Sequence, residues 1–145
     1  MPGMWTTLDL SGNPLGPSNF SPSMMLLMTD GSVLIQHAGG EIWLRYYPSI
    51  NPAQAYTAGS WGENPLPMQT GRNAYASGVL KDGRVFVIGG EHSTAGADTP
   101  LAEIFDPIAN NWSTLDKPSA FNFIQGDAPA CVLADGRVLI GGLGG

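Results

Sequence analysis

Residues Val79–Gly90 read Val-Leu-Lys-Asp-Gly-Arg-Val-Phe-Val-Ile-Gly-Gly: an apolar pair, an Asp-Gly turn, a run of β-branched and aromatic residues, and a glycine pair. The same pattern occurs twice more, as Leu-Met-Thr-Asp-Gly-Ser-Val-Leu-Ile-Gln-His-Ala-Gly-Gly over Leu27–Gly40 and as Val-Leu-Ala-Asp-Gly-Arg-Val-Leu-Ile-Gly-Gly over Val132–Gly142. The turn aspartates Asp30, Asp82 and Asp135 are 52 and 53 residues apart. Self-similarity at a fixed step of about 50 residues is typical of proteins built from repeated small sheets.

Each Asp-Gly pair predicts a β-hairpin with a two-residue turn, because such turns need positive φ at both central residues. The aspartates are therefore interpreted as turn residues rather than as parts of a site. The predicted hairpin strands are Met24–Met28 with Val33–Gln36, Ala74–Leu80 with Val85–Ile88, and Ala128–Leu133 with Val138–Ile140. Third strands are predicted at Ile42–Tyr47 and Ala102–Phe105, and fourth strands at Trp5–Leu8, Ser60–Trp61 and Trp112–Leu115.

The composition of the chain excludes several classes of function. The net charge is −6 and the six Lys and Arg residues are dispersed, whereas binding to nucleic acid or to an anionic membrane needs a clustered basic face. Cys131 is the single cysteine, which leaves no internal disulfide and no cysteine-rich metal site. No apolar run reaches the roughly 18 residues of a membrane span. We also expect no secretory leader, because the first residues lack a basic region followed by an apolar stretch. We expect a soluble protein, cytoplasmic by default and extracellular if the chain is a fragment.

Tryptophans mark the same point in successive repeats. Trp5, Trp61 and Trp112 each stand in a short predicted fourth strand, at steps of 56 and 51 residues. A large aromatic residue at the same place in each sheet is typical of packing between neighbouring sheets. We therefore interpret the tryptophans as core residues rather than as a platform for stacking carbohydrate.

Three segments together resemble the kelch repeat: Asp82–Gly90 (Asp-Gly-Arg-Val-x-x-x-Gly-Gly), Ala102–Pro107 (Ala-Glu-Ile-Phe-Asp-Pro) and Asn111–Trp112. More narrowly, they resemble the kelch-like propellers of the galactose-oxidase superfamily. The resemblance extends from Met24 to Gly142 and implies an all-β fold of four-stranded antiparallel blades. Because propellers carry unrelated activities, the resemblance assigns no activity by itself.

The chain accounts for only about three blades, so we expect a single partial propeller. An outer strand and loop occupy residues 1–23, the first blade 24–67, the second blade 68–117, and the first hairpin of a third blade 118–145. Even a small propeller needs about four blades, and an open stack leaves apolar faces and strand edges in water. We therefore expect a homo-oligomer, with a head-to-tail dimer that gives a ring of about six blades. The alternative is a fragment of a longer propeller.

Copper is the cofactor that the resemblance raises. Oxidases of the superfamily use a copper site of tyrosines and histidines that includes a tyrosine cross-linked to cysteine. This chain contains His37, His92, Cys131 and four tyrosines, but none of them falls in a family motif. Cys131 lies inside a predicted strand, where a buried and unreactive thiol is expected. We expect no cofactor, with copper as the alternative.

The loops indicate which end of the molecule would bind a ligand. Successive strands of a blade alternate in direction, so the loops after each second strand and before each first strand share one end. The Asp-Gly turns lie at the other end. Ligand-binding residues concentrate on long, varied loops of a rigid scaffold. The candidates there are His37, Glu41, Arg72, Tyr75, Glu91, His92, Asn122, Gln125 and Asp127; the alternative is that they only solvate the rim.

The sequence favours a non-enzymatic binding or protein-interaction module, with a protein or a carbohydrate as its ligand. No residue is assigned a catalytic role, and no nucleic-acid or membrane partner is expected. One alternative is a fragment or relative of a galactose-oxidase-like or carbohydrate-binding propeller with copper-dependent oxidase ancestry. Another is an enzyme whose site is assembled between two chains.

Overall fold

The computed structural model describes residues 7, 12–16, 18–51, 54, 58–94, 96, 98–116 and 126–141. Within these ranges the secondary structure is all β, and no helix there is long and apolar enough to cross a membrane. The predicted strand Trp5–Leu8, apart from Thr7, and the candidates Asn122 and Gln125 lie outside the described residues.

The strands form two four-stranded antiparallel sheets and one hairpin, each with its strands in chain order. The first blade contains β1 (Pro22–Leu27), β2 (Val33–His37), β3 (Trp43–Pro48) and β4 (Gly59–Trp61). The second blade contains β5 (Ala76–Val79), β6 (Val85–Ile88), β7 (Ala102–Asp106) and β8 (Asn111–Leu115). The last hairpin pairs β9 (Ala130–Val132) with β10 (Val138–Ile140). The predicted fold class, all-β with incomplete propeller blades, is confirmed.

The two blades repeat the same register. Val33 pairs with Tyr46 and Tyr46 with Trp61 in the first blade; Val85, Phe105 and Trp112 form the same row in the second. The two tryptophans therefore occupy equivalent positions, as the repeat predicts. The Trp112 ring lies 5.1 Å from the Trp43 ring and 5.4 Å from the Phe105 ring, between the blades.

The main core fills the space between the first and second blades, because each strand turns alternate side chains to that side. Its buried members are Met28, Leu34, Trp43, Met68, Tyr75, Val85, Val87 and Phe105. A smaller cluster joins the second blade to the last hairpin through the short side chains of Ala76 and Ala128, with Ile88, Ala130 and Ile140 against them. The chain thus contains one large and one small junction between repeats.

The hairpin turns differ from the sequence prediction. In the second blade, the Leu80 amide donates to the Arg84 carbonyl (2.7 Å) and the Gly83 amide donates to the Leu80 carbonyl (2.9 Å). This pattern encloses three loop residues, and only the glycine has positive φ (+88°). Asp82 accepts instead from the Arg84 backbone amide at 3.1 Å. The two-residue turn was wrong, because Asp-Gly also suits a three-residue loop in which the glycine alone is left-handed.

The expectation of a buried thiol at Cys131 was also wrong. Cys131 is exposed and pairs across the hairpin with Leu139, which is 60% exposed. Strand alternation turns Ala130 and Ile140 towards the second blade and Cys131 away from it. The thiol therefore lies on the open face of the last hairpin.

Candidate functional site

The loops at the end of the molecule opposite the Asp-Gly turns are joined to one another by main-chain hydrogen bonds. These bonds connect the loops after β2, β4 and β6 and the segment before β9. The donor–acceptor pairs are Met68 N–Glu41 O (3.0 Å), Thr94 N–Gly71 O (2.9 Å), Asn73 N–Glu91 O (2.9 Å), Glu91 N–Asn73 O (2.8 Å) and Asp127 N–Ala74 O (2.6 Å). Three successive repeats therefore present their loops as one continuous surface.

Arg72, a candidate binding residue, lies beneath this surface in an ion pair. The Arg72 Nη1 donates to Glu103 Oε1 at 2.9 Å, and the side chains are 0% and 1% exposed. Glu103 Oε2 also accepts from the Gln69 amide at 2.7 Å. Burial lowers the pKa of the Arg72 guanidinium, although the Glu103 carboxylate acts in the opposite direction. Its Nε and Nη2 have no hydrogen-bond partner among the described residues.

Tyr75 is likewise a buried residue at the junction of the two blades. Its hydroxyl donates to Gln36 Oε1 at 2.6 Å, and burial raises the pKa of the phenol despite the positive charge of Arg72. Gln36 Nε2 donates in turn to the carbonyls of Gly40 (2.9 Å) and Arg72 (3.0 Å). The sequence analysis missed Gln36. It could have been found as a polar side chain that follows three apolar residues in a strand, because a buried polar group needs hydrogen-bond partners.

Glu41 is half-buried and fixed by its neighbours. The hydroxyl of Thr94 and the backbone amides of Glu41 and Gly71 donate to its carboxylate, and these bonds lower the pKa of Glu41 against the effect of burial. The carboxylate is therefore ionised near neutral pH. Sequence reasoning did not single out Thr94, which has no pattern of its own.

Glu91, His92 and Asp127 lie on the same end and reach solvent. The Nε2 of His92 is 3.8 Å from Glu91 Oε2, and the His92 side chain is 81% exposed. Asp127 is exposed, and His92 and Asp127 both have a φ of +50°. With Glu41, these residues form what we call the loop-end patch: Glu41, Glu91, His92 and Asp127. It offers three carboxylates and one imidazole.

His37 is engaged elsewhere at this end. Its Nδ1 accepts from the Ser21 amide at 3.1 Å, and its ring stacks on Phe20 with centroids 6.1 Å apart. Phe20 also meets Trp61 edge-to-face at 5.5 Å. His37 thus holds the segment before β1 against the first blade.

The described residues do not fit the copper site that the resemblance raises. Among them, no three His, Cys, Asp or Glu side chains come close enough together to hold a metal ion. His37 already binds a backbone amide through Nδ1, and Cys131 lies on the open hairpin face.

Neither a protein-family model nor a curated protein matches the chain. Among solved structures, the chain is similar to that of YjhT, with a TM-score of 0.57 and 12% identity over 84% of this chain and 32% of YjhT. It is also similar to a fungal alcohol oxidase of the AA5 family in complex with copper, with a TM-score of 0.43 and 22% identity over 66% of this chain and 18% of the oxidase. The chain spans about a third of YjhT. At this identity the likeness to YjhT shows the fold alone, which agrees with the four-stranded antiparallel sheets described above.

Proposed function

We propose that the chain is a non-enzymatic binding module whose ligand contacts the loop-end patch. The observation that supports this proposal is the main-chain bonding among the loops of three repeats, which carry the solvent-reaching side chains of Glu91, His92 and Asp127. Groups held in place before binding lose little conformational entropy when a ligand arrives, so a larger share of each contact contributes to affinity.

The charge of the patch indicates the class of ligand. Glu41, Glu91 and Asp127 supply three carboxylates on a chain whose net charge is −6. Complementary charge speeds encounter and disfavours wrong partners. We therefore propose a positively charged protein segment as the ligand, ahead of a neutral carbohydrate.

Charge neutralisation at two positions tests the proposal. A fluorescent hexa-arginine peptide is titrated at low salt into the chain and into the Glu91→Gln/Asp127→Asn variant, with anisotropy as the readout. Since each exposed pair contributes about 0.5–1 kcal/mol, we expect binding to weaken about tenfold. The matched control is Glu63→Gln/Asp116→Asn, which removes the same two charges at exposed positions after β4 and β8. Equal weakening in both variants, or no binding at all, would contradict the proposal.

We further propose that a second copy completes the ring. Leu139 and Cys131 hold the positions that Leu34 and Leu26 hold in the first blade, where those two side chains pack against the second blade. Leu27 and Val33 hold the positions of Val79 and Val85, which pack against the first blade.

Each open face thus repeats one half of a junction that the chain forms internally. Leu27 is 70% exposed and Leu139 is 60% exposed. A concavity of about 360 Å³ lies on the last hairpin; Pro129, Ala130, Cys131, Leu139, Ile140 and Gly141 line it. A head-to-tail copy brings complementary halves together and buries both apolar faces.

A further inference from the structure

A groove separates the turns of the first and second blades at the end opposite the loop-end patch. It has a volume of about 240 Å³. Its lining residues are Met28, Thr29, Asp30, Arg45, Asp82, Pro107 and Ile108. The proposal that follows does not depend on the function proposed for the loop-end patch.

The repeat itself shows what fills the equivalent space one junction further on. Thr29, Lys81 and Ala134 are equivalent residues, each directly before the turn aspartate. Lys81 reaches from the second blade to the last hairpin, where its Nζ donates to the carbonyl of Ala134. In the first blade the short side chain of Thr29 stands where Lys81 stands in the second. The junction between the second blade and the last hairpin therefore contains an ammonium group, that of Lys81. The junction between the first and second blades has Thr29 at the equivalent position and no ammonium group there.

The chemistry of the groove suits the same group. Asp30 and Asp82 line it with carboxylates whose side chains are 46% and 52% exposed. The Arg45 guanidinium is neutralised by Asp30, with Nη2 2.6 Å from Oδ2, and its Nη1 donates to the Pro107 carbonyl at 3.3 Å. Asp82 is paired as well, with Arg84 Nη2 2.8 Å from its Oδ2. A carboxylate has about four acceptor sites, so the half-exposed Asp82 can accept from an ammonium group in addition to Arg84.

The remaining wall of the groove is apolar. Met28 is 4% exposed at its base, and Ile108 is 94% exposed at its rim, beside Pro107. An alkyl chain laid along this wall would cover Ile108, whereas a compact inorganic cation would leave it in water. A ligand with a charged end and a short apolar chain can contact both the carboxylates and the apolar wall of the groove.

We propose that this groove binds a primary ammonium group carried on a short alkyl chain. The ammonium donates to the Asp82 carboxylate and to the Lys81 carbonyl, which is equivalent to that of Ala134, and the stem lies against Met28, Pro107 and Ile108. A lysine side chain of a partner protein and a free alkylamine share this chemistry.

Titration with butylammonium tests the proposal, with backbone amide shifts as the readout and butanol as the uncharged control. We expect saturable shifts at Thr29 and Ile108, with a dissociation constant of about 1–10 mM for so small a ligand. Asp82→Asn is expected to weaken binding at least about fivefold, since a charge-assisted hydrogen bond is lost. Asp135→Asn is the matched control, because Asp135 pairs with Arg137 as Asp82 pairs with Arg84 but does not line the groove. Equal shifts with butanol, or equal weakening in the two variants, would overturn the proposal.

Filling the groove from within provides a second test. Thr29→Lys places at the first junction the side chain that Lys81 supplies at the second, and we expect it to abolish the butylammonium shifts. Thr29→Ser should leave them unchanged; loss of binding in Thr29→Ser, or retention in Thr29→Lys, would contradict the proposal. The peptide Gly-Gly-Lys-Gly-Gly distinguishes the sources: tenfold tighter binding than butylammonium indicates a partner's lysine, and equal binding indicates a free amine. If the peptide binds equally tightly after acetylation of its lysine Nζ, neither a partner's lysine nor a free alkylamine is the ligand, and the proposal is overturned.

Discussion

The ion pair of Arg72 and Glu103 buries two formal charges, with side chains that are 0% and 1% exposed. A buried pair adds little to stability over an apolar pair of the same size, yet removing one partner leaves an uncompensated charge. Here the cost is raised further, since two Arg72 nitrogens already lack a hydrogen-bond partner in the described part of the chain. The pair therefore sets the geometry beneath the loop-end patch more than it sets the total stability.

Glu103→Gln should lower the free energy of unfolding by about 3 kcal/mol, because the Arg72 charge stays buried without its counter-charge. Urea unfolding followed by tryptophan fluorescence measures the change. The double variant Arg72→Met/Glu103→Leu should recover most of the loss, as no charge is left unpaired. A double variant less stable than Glu103→Gln would show that the charges stabilise the fold directly.

At the residue scale, the sequence predicted the location of the exposed candidates better than that of the buried ones. Glu91, His92 and Asp127 sit on loops that the hairpin repeat places at one end, so their location follows from strand direction alone. Arg72 and Tyr75 are on the same loop in sequence, but their burial depends on Gln36 and Glu103, which come from β2 and β7. Contacts between residues 31 to 39 positions apart leave no local pattern.

At the scale of elements, the loops are fixed by close backbone approach. A Cβ atom on Gly71 would lie 2.6 Å from the Gly40 carbonyl carbon and 2.8 Å from the Glu41 nitrogen. Neither atom can move without displacing the loop between β2 and β3. Glycine at this position is therefore a condition for the hydrogen bonds that join the loops.

Gly71→Ala should cost about 2 kcal/mol of unfolding free energy, within the range for overpacking of a tight site. It should also weaken ligand binding at the loop-end patch, because Glu41 accepts from the Gly71 amide. Gly40→Ala is the control, since a Cβ there meets only the His37 carbonyl at 3.4 Å. Equal unfolding midpoints in the two variants would show that the loop between β2 and β3 moves aside at little cost, and would contradict the prediction.

The strands themselves were predictable because alternation and the Asp-Gly signal are local. β6 and β10 have the predicted bounds, and most other strand ends differ by one or two residues. The turn type was not predictable, as the same dipeptide fits two loop lengths that differ in the φ of the aspartate. The exposure of Cys131 depended on which face of β9 meets the second blade, and that is a property of the assembled sheets.

At the scale of the whole molecule, the described residues form two blades and a hairpin and leave an open face on each side of this stack. If a second copy covers them, the chain should run as a dimer in light scattering behind a sizing column. Leu139→Asp should give a monomer, because it places a charge in the proposed junction. Ile50→Asp makes the same change at a fully exposed turn and should leave the dimer intact. A monomeric parent chain, or dissociation in both variants, would contradict the proposed ring.

The loops of three repeats are held together by backbone atoms, whereas the chemistry of their surface is determined by side chains. Nearly all amino acids have a backbone amide and carbonyl. Most side chains along these loops can therefore be replaced without removing a main-chain hydrogen bond between the loops. Glu91 could be exchanged for other residues while its amide keeps bonding to the Asn73 carbonyl. Asp127 has a φ of +50°, so the residues that fit there best are Asn and Gly. Natural selection, or selection from a display library, can therefore change the side chains of the loop end. The hydrogen-bonded backbone beneath them stays the same.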